Sequence, residues 1–161
     1  MLLWFAGGSV LIVFLVFRSP AIDYRLVVLG ALLPLAELPF GSPRVLHSIT
    51  GAAVALGAAM VITPRRRLVQ RRLVAVPIGM FLHLLLDGVW TDTRAFWWPF
   101  AGLAWSDSRL PELSRGALDL LLELAGAAML WWCWRRFRLD EPERRARFLR
   151  TGHIDRDVAL P

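Results

Sequence analysis

Long apolar runs, broken by short arginine-bearing segments, dominate the chain. Five of them suit helices in lipid: Leu2 to Phe17, Ala21 to Phe40, Pro43 to Thr63, Leu73 to Trp90 and Gly116 to Trp134. A bilayer core takes about 20 apolar residues in helical form, with shorter runs accommodated by local thinning. The second run contains Pro34, Glu37 and Pro39. It is therefore expected to be kinked or broken, because proline removes an amide donor and crowds the preceding turn. Ser42-Pro43 offers the third run an N-cap and a first-turn proline. The pattern predicts an all-α fold, a polytopic membrane bundle of about five transmembrane helices over residues 1–138. A charged tail, 139–161, follows it.

Composition agrees with this plan. Of 161 residues 57% are hydrophobic and mean hydropathy is +0.51, too apolar for an ordinary soluble domain. The 19 basic residues are all arginine, set against 13 acidic ones for a net charge of +6. A basic chain can signal nucleic acid, but these arginines fall between hydrophobic runs, which indicates membrane topology instead. If the N-terminus lies outside, Arg18, Arg25, the cluster from Arg65 to Arg72 and the tail arginines from Arg135 to Arg156 all face inward. Only Arg44, Arg94, Arg109 and Arg115 then face outward. That bias predicts an outside N-terminus and a cytoplasmic C-terminus. Tryptophans mark both interfaces: Trp90, Trp97, Trp98 and Trp105 outside, Trp131, Trp132 and Trp134 inside.

The first run lacks a basic stretch before its apolar core, so it reads as a retained span rather than a cleaved signal. The tail reads as a cytoplasmic amphipathic helix against anionic lipid, with His153 in solvent. Cys133 alone excludes an internal disulfide and a cysteine-rich zinc module.

Candidate chemistry lies in the otherwise apolar stretch GMFLHLLLDGVW. His83 and Asp87 stand four residues apart there, on one helix face. Ionisable groups in hydrocarbon are costly and tend to line a site or polar cavity. Counting down from Trp90, His83 and Asp87 fall roughly 10 Å and 5 Å deep. Glu37 near the end of the second run, His47 beside Ser48 in the third, and Asp119 with Glu123 in the fifth come to the same layer. Two imidazoles and up to four carboxylates suit a divalent cation: Zn²⁺ first, with Mn²⁺ and Fe²⁺ also suited. The assignment is His47, His83, Asp87 and Asp119 as metal ligands, with Glu37 and Glu123 as catalytic or orienting carboxylates. Thr91, Asp92 and Thr93 offer further oxygens at the rim, and the aromatic loop from Thr91 to Arg115 is either a lid or an interfacial anchor. Each residue also has a plain structural reading: His83–Asp87 as a neutral helix lock, His47 as a cap, Glu37 as a solvated group, and Asp119 as a carboxylate at a helix start.

Three segments, LGALLP at 29–34, VLHSITG at 45–51 and FLHLLLDGVWTDTRAFWWPF at 81–100, resemble the YdjM-like family of bacterial inner-membrane proteins, the membrane-bound metal-dependent hydrolases. The resemblance covers about half the chain and implies that His47, His83 and Asp87 are metal ligands or close neighbours of one. Two positions depart from the pattern. Leu35 stands where the family has an aspartate, and Pro43-Arg44 stands where it has His-Arg.

The leading expectation is an inner-membrane metal-dependent hydrolase acting on a lipid-linked or envelope ester or phosphoester from the extracytoplasmic side. Its partners would be membrane lipid and that substrate, with no nucleic acid; a homo-oligomer stays open. The rival is a non-catalytic accessory or assembly protein whose polar layer is structural. Transport is weaker, because no comparable polar path continues through the inner half.

Overall fold

Glycine placement decides which helices touch. A computed structural model describes residues 1–65, 67–106 and 116–159, and among them every regular element is helical. Helix α1 (Leu2–Phe17) crosses α7 (Ala117–Arg136) at Gly7 and Gly126; a Cβ on either would overlap the other helix's backbone. Likewise α2 (Tyr24–Leu32) meets α5 (Ala75–Asp87), where a Cβ on Gly79 would strike the Val27 carbonyl oxygen. Small residues at such crossings let backbones nest. Helix α3 (Ile49–Ile62) packs on α5, and α1 also packs on α2. The short α4 (Arg67–Leu73) precedes α5, and α6 (Thr93–Phe96) follows it.

Two helical stretches, Arg67–Asp87 and Ala117–Arg136, are long and apolar enough to cross a membrane; α1 and α3 are apolar but shorter. Outward-facing side chains are apolar too. Helix α7 buries only Gly126 and Cys133, while Leu118, Leu120, Leu121 and Leu124 are exposed.

The second run is broken as predicted: α2 ends at Leu32 and a 3₁₀ stretch, Leu33–Phe40, carries both Pro34 and Pro39. The third starts later than expected. Its N-cap is Ser48, whose Oγ accepts from Gly51 N–H at 3.0 Å, and not Ser42. The reason is Glu37, whose carboxylate takes the N–H groups of Arg44 and Leu46 and holds Val45–His47 in a separate 3₁₀ turn.

The tail is part of the same core. Helix α8 (Pro142–Thr151) and the short α9 (Arg156–Ala159) bring Ile154 and Val158 against Val13, Tyr24 and Phe137. Tyr24 N–H donates to the Gly152 carbonyl at 2.9 Å and Arg25 Nη1 to the Leu149 carbonyl at 2.7 Å. His153, expected in solvent, is half-buried.

Candidate metal centre

Proline interruption and helix pairing together build the polar site. Helix α5 carries His83 on its inner face and Asp87 as its last residue, one turn apart; Gly88 in the left-handed region (φ 76°) closes the helix. The 3₁₀ turn ahead of α3 carries His47. All three side chains are fully buried, and one ligand atom from each lies within 4.8 Å of the others.

Their hydrogen bonds fix the tautomers. His83 Nδ1 lies 2.6 Å from the carbonyl oxygen of Ala31 on α2. A carbonyl only accepts, so Nδ1 carries the hydrogen. His47 Nδ1 lies 2.8 Å from Glu37 Oε2, a carboxylate that already accepts Arg44 N–H at 2.8 Å and Leu46 N–H at 2.7 Å. Nδ1 therefore donates here as well. Both Nε2 atoms then present lone pairs, and they face each other at 3.4 Å. Two lone pairs at that distance repel unless a cation, a proton or a metal ion, lies between them.

A metal fits the spacing. Tetrahedral coordination with Zn–N bonds near 2.0–2.1 Å sets two nitrogens about 3.3 Å apart. Asp87 adds a carboxylate at the C-terminal, negative end of α5, where an anion is disfavoured and a nearby cation compensates. The Glu37–His47 and Ala31–His83 bonds are the orienting contacts that metal-bound imidazoles usually make. Phe5 of α1 stacks on His83, with centroids 3.9 Å apart, and shields the pair from the α1 side.

Of the six residues expected at the site, His47, His83 and Asp87 converge, and Glu37 stands directly behind His47. The other two lie elsewhere. Glu123 binds the start of α1, accepting Leu3 N–H at 2.8 Å and facing the Met1 amine at 3.0 Å. Asp119, one turn earlier on α7, is half-buried and outside the His47–His83–Asp87 group. Asp92, expected at the rim, instead caps α6 through the N–H groups of Arg94 and Ala95 and accepts from Ser106 Oγ at 2.6 Å. Of the aromatic loop, 107–115 lie outside the described residues. Its first part is anchored by Thr50 Oγ1 donating to the Trp98 carbonyl, and by Trp98 stacked on Trp105.

Three contributors were not assigned from sequence. They are the Ala31 carbonyl, Phe5 and Arg44, whose guanidinium lies over Phe40 at 4.1 Å and near Trp105 at 5.8 Å. Arg44 Nε is buried and has no hydrogen-bond partner among the described residues. Only Arg44 left a sequence signal, as the arginine just before the His47 turn; a backbone carbonyl and a stacking phenylalanine leave none.

No protein-family model, curated protein or solved structure matches this chain.

Proposed function

We propose that the protein is a multi-pass inner-membrane protein that binds one divalent metal ion through His47, His83 and Asp87 and hydrolyses a lipid-linked ester or phosphoester. The observation that carries the metal reading is the pair of Nε2 atoms 3.4 Å apart, each made a lone-pair donor by its Nδ1 contact. Zinc is favoured by the donor set. When bound, the ion would supply Lewis acidity to the substrate and to an attacking water. The protein supplies the rest: Glu37 and the Ala31 carbonyl hold the imidazoles, and Phe5 keeps solvent off His83.

Membrane residence is supported by the arginine asymmetry, the two long apolar stretches and the outward leucines of α7. On this reading five spans cross the bilayer with the N-terminus outside. A lipid-linked substrate is supported by an apolar cavity of about 510 Å³ between α1, α3 and α5, lined by residues including Phe17, Ile49, Leu56 and Phe81. Leu82, which precedes His83 in sequence, is among its lining residues, and the three ligands are not. The resemblance of the motifs to the YdjM-like hydrolases supports the reaction class.

A second reading, a structural ion in a non-catalytic accessory protein, is favoured by the complete burial of all three ligands, since closed sites are typically structural. Elemental analysis of detergent-purified protein, wild type beside His83→Ala and Asp87→Ala, tests the metal. About one ion per chain, lost in both variants, supports it; a metal-free wild type with intact helicity removes it. Metal-dependent hydrolysis of a lipid ester or phosphoester in proteoliposomes then separates hydrolase from structural site.

A further inference from the structure

At the opposite end of the bundle, α8 roofs a second apolar cavity of about 550 Å³ between α1, α2 and α7. Val28, Leu130, Phe137 and Phe148 line it, and two cations, Arg25 and Arg145, stand at its edge. Their electrostatic states differ. Arg25 is spent: its guanidinium donates to both oxygens of Asp23 and to the Leu149 carbonyl. Arg145 is exposed and has no acidic partner among the described residues.

Three other tail arginines are ion-paired. Arg144 pairs with Glu141, Asp155 and Asp157, Arg147 pairs with Asp155, and Arg138 pairs with Glu141 and Asp157. Tail acids thus pair the arginines around Asp155 and Asp157, whereas Arg145, Arg150 and Arg156 have no ion pair among the described residues, and of these three Arg145 alone lines the cavity. Exposed Trp131, Trp132 and Trp134 occupy the adjoining turn of α7, where interfacial aromatics belong. An apolar slot with a cation at its edge, beside a tryptophan belt, complements an amphiphile with an anionic head. Basic pockets between helices on the cytoplasmic side bind anionic headgroups in this way.

We propose that this cavity is a binding site for an anionic phospholipid of the inner leaflet, with an acyl chain along Val28 and Phe148 and the phosphate on Arg145. The proposal rests on the membrane reading above and is independent of the metal centre. The test is native mass spectrometry of the full chain released from detergent, with phosphatidylglycerol and phosphatidylcholine of identical chains added in turn. Wild type should retain phosphatidylglycerol about fivefold better, the factor one interfacial arginine supplies at an anionic surface. Arg145→Gln should bring retention down to the phosphatidylcholine level. Val28→Trp, which fills the slot from a half-buried position, should abolish retention of both.

Equal retention of the two lipids by wild type would overturn the proposal, as would undiminished phosphatidylglycerol binding by Val28→Trp. Circular dichroism confirms that each variant is folded. Extraction of the protein from membranes by alkaline carbonate would defeat the membrane reading itself, and so is separable from failure at the cavity.

Discussion

Glu37→Gln is the sharpest perturbation, because it keeps shape and removes only charge and one acceptor. Three donors converge on this carboxylate: Arg44 N–H and His47 Nδ1–H on Oε2, and Leu46 N–H on Oε1. A glutamine has one acceptor oxygen. With that oxygen in the Oε2 position its NH₂ faces Leu46 N–H; reversed, it faces both Arg44 and His47. Either way a buried donor meets a donor, which costs about 1–3 kcal/mol of stability. The remaining bond to His47 also loses its charge assistance, roughly half its strength. His47 Nε2 then becomes a poorer and less firmly aimed ligand, and loss of such an orienting partner typically lowers metal affinity by about 10–100-fold. Competition between the detergent-solubilised protein and a chromophoric chelator reads this directly, with helicity checked in parallel. Zinc affinity within twofold of wild type in a folded Glu37→Gln protein would refute the claim that Glu37 positions the ligand.

Other outcomes follow from the same geometry. Gly79→Ala should lower both stability and metal affinity, because separating α5 from α2 withdraws the Ala31 carbonyl from His83; chelator competition and thermal melts check it. Phe5→Ala removes the ring stacked on His83 and should cost about 3–5 kcal/mol in a thermal melt, with a faster metal off-rate. Asp23 governs tail docking. Its carboxylate holds Arg25 and Arg72, whose guanidiniums also donate to the tail carbonyls of Leu149 and Thr151. Limited proteolysis of α8 should therefore be slow in the wild type at neutral pH. Asp23→Asn should expose α8 already at neutral pH, by roughly 1–2 kcal/mol since both guanidiniums are over a third exposed. Unchanged cleavage in that variant would contradict the latch.

Periodicity made half of the site readable and hid the rest for a physical reason. His83 and Asp87 are linked by helical spacing alone, and His47 reaches them because its turn lies at the same depth. Depth is one coordinate, however, and direction around the helix axis is another. Asp119 and Glu123 were expected at the depth of the site by residue count, but the Gly7–Gly126 crossing turns Glu123 toward the start of α1. The role of Glu37 was concealed similarly. Two prolines predicted a kink or break somewhere in the second run, but not that the 3₁₀ stretch after Leu32 would swing its carboxylate behind His47. Tail docking was missed because the burial of Ile154 and Val158 is sparse among charges and carries no period.

X-ray absorption at the zinc edge of the metal-loaded, detergent-purified protein tests the central claim most directly. Two imidazole nitrogens and at least one oxygen at about 2.0–2.1 Å are predicted, with no bound zinc left to give a signal in His83→Ala. A sulfur scatterer, or a first shell indifferent to His47 and His83, would contradict the assignment of the ion to this pair.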